Sequence, residues 1–396
     1  MSVDDPLFEY AAEVLSFGFK DAAEAVPPDQ GAPDAMERII ARCLAAFARS
    51  GRKHMALLGL GSGFVAKALA SSLPHGALVV CEQDVELARS LSRAGRLGWW
   101  RREGGARLAL DASPWALLFL FDRAAIRLDD LFVLPNPELD PARKVRLRTL
   151  ETLLCRSRLL GPPPQVPAPR LSVAAIVSPA EPELQCFFAQ LPPWLHELVL
   201  VWDAEHLPSM NLPRAFPVWQ TARPLARDFA AQRNAMLAAC TGDWVFSLDA
   251  DERLSDIDWA ALPLLCAYPD ICAWHLPRVT VYPTPGRALA GYGLWPDVQL
   301  RLFRRAPGLS YVGSVHERLT GLAGRQAVSL DLEIEHLSRL RKGEAEIRRK
   351  LEGFDEAAAG SVRHTLSAEY PSVPRSLLTS HRTMLPRGLL LPDAMA

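Results

Sequence analysis

Five prolines fall within nine residues, Gly161-Pro-Pro-Pro-Gln-Val-Pro-Ala-Pro169. Proline has no backbone N–H and a fixed φ, so such a run can be neither a helix nor an inner sheet strand. It adopts extended, stiff, polyproline-like chain. A linker is therefore expected over residues 161–170, dividing the 396 residues into two folded parts, as a typical size of about 150 residues per domain also suggests. The expected organisation is a first domain over 1–160, the linker, a second domain over 171–340, and a C-terminal helix with a mobile tail over 341–396. Apolar residues at 49% and charged residues at 22% give both parts the material for a core and argue against disorder.

Charge narrows the possible partners. Lys and Arg total 44 against 45 Asp and Glu, a net charge of -1, which gives no global electrostatic reason to bind nucleic acid or an anionic membrane. The longest apolar run, residues 116–121, is far short of the ~20 needed to span a bilayer. The first residues carry acids and no basic stretch ahead of an apolar one, unlike a secretory signal. Seven dispersed cysteines without a C-x-x-C pair predict neither a disulfide framework nor a zinc site. A cytoplasmic chain is expected, with peripheral contact at the inner face of the cell membrane left open by the apolar Leu389-Leu390-Leu391 near the end.

In the first part, residues 8–19 and 35–50 have helical patterns. An apolar run from His54 then leads into Gly59-Leu60-Gly61-Ser62-Gly63, followed by a helical stretch 64–72 and a second apolar run 77–81 that ends at Glu82. Strand, glycine turn, helix, strand, acid is the opening of a Rossmann-type unit. Gly59, Gly61 and Gly63 can admit a cofactor's backbone contacts, with Glu82 on ribose hydroxyls, or they can simply form a tight turn in a scaffold. The pattern weakly resembles the first motif of S-adenosylmethionine methyltransferases. It departs from that motif in having Leu57 and Leu58 where an acid usually precedes the first glycine. The basic helix expected over 141–158 reads as a solvated face.

In the second part, strands are expected at Leu171–Val177, Glu197–Trp202 and residues 244–248, alternating with helices over 183–190 and 225–240. That alternation predicts a largely parallel α/β sheet whose ligands gather at the carboxyl ends of its strands. Asp249-Ala-Asp251-Glu252 follows the third strand directly. D-x-D triplets are common by chance in a chain with 23 Asp, and a second one, Asp256 with Asp258, reads as a helix cap.

The longer string is more specific. Asp228-Phe-Ala-Ala-Gln-Arg-Asn234, then Thr241-Gly-Asp-Trp-Val-Phe-Ser-Leu-Asp-Ala-Asp-Glu-Arg253, resembles the core of family 2 glycosyltransferases, in particular the branch with bacterial lipopolysaccharide-core enzymes. Trp295-Pro-Asp-Val-Gln-Leu-Arg-Leu-Phe-Arg304 and Gly313-Ser-Val-His-Glu317 extend the resemblance. It implies a GT-A fold, a nucleotide-diphosphate sugar donor, Mn²⁺ or Mg²⁺, inversion at the anomeric carbon, and a surface-glycan, lipid-linked or protein acceptor. By the same resemblance Asp251 is a direct metal ligand and Asp249 a ligand of the metal or of ribose. His316 completes the metal shell or meets the diphosphate. Gln232, Arg233 and Asn234 hold the nucleotide or brace the metal loop, Asp203 contacts the base, Arg301 meets phosphate or an anionic sugar, Glu317 binds acceptor hydroxyls, and Asp297 is the base. The turn Val201-Trp-Asp-Ala-Glu-His206 departs from the family pattern, which leaves donor base and sugar open. The competing readings are a methyltransferase, alone or as part of a bifunctional chain, and a non-catalytic sugar-nucleotide-binding scaffold.

The physical logic stands beside the resemblance. A departing diphosphate gathers negative charge, which a hard cation held by one or two carboxylates and phosphate oxygens neutralises.

Overall fold

The computed structural model describes residues 5–17, 33–226, 228–313, 317–341, 370–380 and 385–393. The chain forms two compact units, one built from residues 1–158, 286–297 and 370–381, the other from the remainder. The expected helix over 343–354 lies outside the described residues.

In unit 1, α1 (Pro6–Ser16) and α2 (Pro33–Ser50) precede a run of alternating elements. These are β1 (His54–Leu58), α3 (Phe64–Ser72), β2 (Leu78–Glu82), α4 (Val85–Arg93), β3 (Arg107–Leu110), α5 (Pro114–Arg123), β4 (Leu131–Pro135) and α6 (Pro141–Arg156). The strands lie in the order β3-β2-β1-β4 and all pairs are parallel, the doubly wound arrangement of Rossmann-type sheets. β2 is buried throughout, and β1 from Met55 onward, as expected of a sheet covered on both faces. Helix starts follow the local chemistry. α1, α5 and α6 open with proline behind Asp5, Ser113 and Asp140, whose side chains accept first-turn N–H groups. On α6, Leu147, Leu150, Leu153 and Leu154 are buried while Arg146 and Arg148 are exposed, which makes its basic side a solvated face.

Two segments from later in the chain belong to unit 1. They pair as the antiparallel strands β12 (Arg287–Leu289) and β18 (Ser372–Pro374). A buried polar knot ties the first of them down. Tyr10 Oη donates to Asp111 Oδ2 (2.7 Å) and accepts from Gly291 N (2.9 Å), while Asp111 Oδ1 accepts from Ser113 N (2.7 Å) and Gly293 N (2.9 Å). Burial pushes the Asp111 carboxyl up to about 6, with these hydrogen bonds opposing it.

This shift carries a pH dependence. Between the ordinary aspartate value and about 6, folded Asp111 keeps a proton that the unfolded chain has lost. Its contribution is thus fully present at low pH and is lost as pH rises through that window, about 3 kcal/mol in all. Comparing unit 1 stability at pH 4 and pH 7, wild type is expected to lose about that much more than Asp111→Asn. Equal losses in the two proteins would contradict the assignment.

Unit 2 is organised on an eleven-stranded mixed sheet. Its first half comprises β5 (Arg158–Leu159), β6 (Leu171–Val177), α7 (Leu184–Ala189), β7 (Glu197–Trp202), β8 (Val218–Ala222), α8 (Phe229–Ala239) and β9 (Trp244–Ser247). Its second half comprises β10 (Glu252–Arg253), α9 (Asp256–Cys266), β11 (Ile271–Thr280), β13 (Asp297–Arg304), β16 (Arg325–Ser329), β17 (Ile334–His336) and β19 (Gly388–Leu390), with β14 (Ser310–Val312) and β15 (Arg318–Thr320) as a separate hairpin. The main path is β5-β19-β16-β11-β13-β9-β6-β7-β8, with β17 joining β10 and β11.

Only part of this sheet is the parallel βα array expected from the sequence. β9, β6, β7 and β8 are parallel, but β13 is antiparallel to β9 and β19 to β16. Further along the path β11 pairs in parallel with both β16 and β17, although among the described residues no helix lies between β11 and β16, so this half of the sheet mixes both strand directions. Trp202, Trp244, Phe246 and Trp274 fill one core of this unit, and Val199, Met236, Val245 and Phe303 another.

Two further expectations meet the structure here. Leu389, Leu390 and Leu391 do not form a free tail or a membrane-facing patch; they are buried, and β19 pairs with β16. Apolar side chains in a sheet core are already out of water. No described helix is long and apolar enough to cross a membrane. The Asp256/Asp258 triplet lies in the first turn of α9 and the cap is Ser255, with Asp258 N donating to Ser255 Oγ (3.2 Å) and Ser255 Oγ to Asp258 Oδ2 (2.5 Å).

Candidate functional site

The parallel strands β6, β7 and β9 end near Ser178, Asp203 and Asp249, the edge where open α/β sheets bind ligands. Past β9, residues 249–252 make a tight turn: Glu252 N donates to Asp249 O (3.0 Å), and Asp249 N donates to Glu252 Oε2 (2.9 Å). This turn buries two acids and leaves one partly presented, for Glu252 is wholly buried, Asp251 is 7% exposed and Asp249 is half-buried.

Three arginines meet these acids. Arg301, from the middle of β13 and itself buried, donates from Nη2 to Asp249 Oδ2 (2.8 Å) and to Glu252 Oε1 (2.6 Å). Arg233, on α8, reaches Ser247 Oγ (2.7 Å), Glu317 Oε1 (2.5 Å) and Asp249 Oδ1 (3.4 Å), and its guanidinium stands 5.8 Å from the Tyr311 ring centroid. Arg278, on β11, adds a 3.4 Å contact to Glu252 Oε1.

The charges sort accordingly. Burial alone would raise the Asp249 carboxyl, but the Arg301 and Arg233 guanidiniums outweigh it and hold the group well below the usual range. For Glu252 burial dominates and, with the Asp249 charge adding to it, pushes the carboxyl up to about 7 against the pull of Arg301 and Arg278. Asp249 thus carries a fixed negative charge across the physiological range.

Asp251 points elsewhere. One of its oxygens lies 3.6 Å from His336 Nε2 at the end of β17, and its backbone carbonyl accepts from Leu337 N (2.9 Å). Among the described residues no group of three or more His, Cys, Asp or Glu stands ready to hold a metal. An Asp251–His336 pair instead offers two adjacent ligand atoms on one side of the turn. That donor set suits a divalent cation whose remaining positions are filled by phosphate oxygens and water.

The structure brings Asp249, Arg233, Arg301 and Glu317 into one connected cluster, with Glu317 serving as the ion partner of Arg233, while Asp251 faces His336 instead. Other sequence candidates brace the surrounding loops. Gln232 is wholly buried and bonds Arg223 through both ends of its amide, accepting from Nη1 (3.2 Å) and donating to the carbonyl. Asn234 clamps the main chain of Tyr311, donating to its carbonyl (2.9 Å) and accepting from its N–H (2.8 Å). Asp203 Oδ1 accepts from Leu225 N (2.7 Å). Asp297 is the first residue of β13. His316 lies outside the described residues.

Sequence reasoning missed His336, Arg278 and Ser247. A lone histidine at a strand end carries no signal by itself. Arg278 did carry one, as a single charge within the apolar stretch Ile271–Thr280.

In unit 1 the glycine turn is explained by the protein's own packing. Gly59, Gly61 and Gly63 have φ of 90°, 58° and 89°, backbone that favours glycine. A Cβ on Gly59 would lie 2.6 Å from Leu139 Cδ1, and one on Gly61 would lie 2.5 Å from Glu138 Oε2. Glu82 is buried, and its carboxylate accepts from Leu60 N (2.7 Å), Gln83 N (2.8 Å) and Asp84 N (2.8 Å).

Among known proteins, no protein-family profile matches the chain. A TPR repeat-containing protein of Synechococcus elongatus is 38% identical over 93 residues, 23% of this chain and 21% of that protein. The lipopolysaccharide core biosynthesis glycosyltransferase LpsC of Rhizobium meliloti is 36% identical over 88 residues, 21% of this chain and 30% of that protein. The matches thus span less than a third of either relative's length. Among solved structures, a Pyrobaculum calidifontis mannosyltransferase in complex with GDP-Man and Mn²⁺ overlaps 52% of this chain and 68% of its own at 15% identity and a TM-score of 0.35. Staphylococcus aureus TarS overlaps 29% of this chain and 22% of its own at 18% identity and a TM-score of 0.22. TM-scores this low carry no argument. The segment similar to LpsC agrees with the glycosyltransferase resemblance carried by the aspartate motif.

Proposed function

We propose that the chain is a metal-dependent, inverting glycosyltransferase of the family 2 type, with a GT-A catalytic unit, and that unit 2 moves a sugar from a nucleotide-diphosphate donor to a hydroxyl of a surface glycan, lipid-linked glycan or protein. The observation that carries this reading is the turn after β9. Asp249 is held ionised there by Arg301 and Arg233, and the next acid, Asp251, is turned toward His336. Similarity to a lipopolysaccharide core transferase supports the same class.

In this reading Asp251 and His336 hold Mn²⁺ or Mg²⁺, which when bound offsets the charge growing on the departing diphosphate. Asp249, fixed in place by two guanidiniums, orients the donor ribose or a water of the metal shell. Arg301 and Arg278 keep the buried Glu252 from repelling Asp249, so the turn presents its charge in one geometry. Asp297 takes the proton of the acceptor hydroxyl as the new bond forms at the anomeric carbon. It lies four residues before Arg301 on β13, which puts both side chains on the same face of the strand, about 13 Å apart along it.

The Gly59–Gly63 turn and Glu82 are accounted for by Leu139, Glu138 and backbone N–H groups, so donor binding is assigned to the turn after β9 in unit 2. A thermal-shift screen of nucleotide sugars tests the assignment. Stabilisation by one UDP- or GDP-linked sugar that requires Mn²⁺ or Mg²⁺ is expected; S-adenosylmethionine as the only stabilising ligand would contradict it.

A further inference from the structure

We infer that unit 1 binds a phosphorylated small molecule in the groove between α3 and the loop of residues 95–106. This inference is independent of the transferase reading. The groove has a volume of about 540 Å³, within the range of small-molecule sites. Its charged lining is of one sign: Lys67, Arg96 and Arg101 line it, His75 joins them, and no Asp or Glu does.

Several other arginines of the unit are ion-paired: Arg89 with Glu86, Arg102 with Glu9, Arg107 with Asp5 and Arg123 with Asp122. Lys67 and Arg101 form no such pair among the described residues, and Arg101 donates instead to the Gly98 carbonyl (2.9 Å). In a chain of net charge -1, a concave surface that carries Lys67 and Arg101 concentrates positive potential where field lines are focused by low-dielectric walls.

Trp99 lines the groove and is 9% exposed, which gives it an aromatic wall. At one end, Ser62, Gly63 and Phe64 form the start of α3, where Ser62 Oγ accepts from Phe64 N (3.3 Å) and donates to Glu138 Oε1 (2.5 Å).

A multiply charged phosphate matches three cations and an imidazole better than a single carboxylate does. The planar donors of Arg96 and Arg101 and the compact charge of Lys67 suit its oxygens. A nucleotide and a sugar phosphate share this chemistry.

The test is calorimetric titration of the full chain at low salt with pyrophosphate, UDP and glucose 1-phosphate, in EDTA so that metal-dependent binding at Asp249 and Asp251 makes no contribution. Saturable binding of at least one probe is expected. Lys67→Glu and Arg101→Glu should each weaken it at least about tenfold, and Lys67→Arg should keep it within about threefold. Asp251→Ala should leave it unchanged, and melting curves should show both charge-reversed variants folded. UDP binding more tightly than pyrophosphate identifies a nucleotide, and glucose 1-phosphate doing so identifies a sugar phosphate. No saturable binding of any probe by about 5 mM, or binding unchanged in either folded charge-reversed variant, overturns the inference.

Discussion

Arg301→Ala is expected to destabilise unit 2 by about 3–5 kcal/mol, the cost of removing one partner from a buried ion pair. Arg301 is 4% exposed in its side chain and Glu252 0%, so water cannot replace the lost guanidinium. One Arg301 nitrogen serves both Asp249 and Glu252, and its loss brings two acids into direct repulsion within one turn. Hydrogen exchange of the β9 and β13 peptides should show the loss, and Arg301→Met combined with Glu252→Gln should recover much of it, because a matched apolar and neutral pair leaves no buried charge. A loss below about 1 kcal/mol would place the pair among surface ion pairs and remove the electrostatic basis for a rigid turn.

The largest kinetic effect is expected at Asp297. Asp297→Asn keeps the shape and removes the proton acceptor, so turnover should fall by about 10²–10⁴. Donor affinity, set by the turn after β9 in unit 2, should stay within about threefold, a difference of less than 1 kcal/mol. That split between kcat and donor Kd separates a base from a donor ligand. Turnover unchanged in Asp297→Asn would move the role to another group. Glu317 is a poor replacement, because it is committed to Arg233 at 2.5 Å.

Local chemistry makes much of this fold legible in the sequence itself. Leu171–Val177 and Glu197–Trp202 are apolar runs interrupted only by Ser172 and Glu197 and bounded by polar residues, and both are strands with those limits. The helix Phe64–Ser72 follows from its place between a glycine turn and Pro74. The D-x-D turn is legible because a buried strand running straight into acids places them at a ligand-binding edge.

Partners, by contrast, depend on distant pairings that no periodicity records. Asn234 reads as a ligand-binding type, yet both ends of its amide hold Tyr311, 77 residues away. His336 meets Asp251 only because β17 pairs with β10. The assignment of residues 286–297 to unit 1 rests on Tyr10 and Asp111, far earlier in the chain. Leu389–Leu391 could be read as loose because their strand partner β16 lies some 60 residues back, and their burial is a tertiary fact.

Calorimetric titration of the donor identified by thermal shift, with and without Mn²⁺, decides whether Asp251 belongs to a metal-dependent donor site. Wild type should bind with Mn²⁺ and lose most of its affinity in EDTA. Asp251→Ala should show no Mn²⁺-dependent binding, and Asp256→Ala, an exposed residue in the first turn of α9, should match wild type. If Asp251→Ala binds the donor with Mn²⁺ as tightly as wild type does, the site lies elsewhere and the account is wrong.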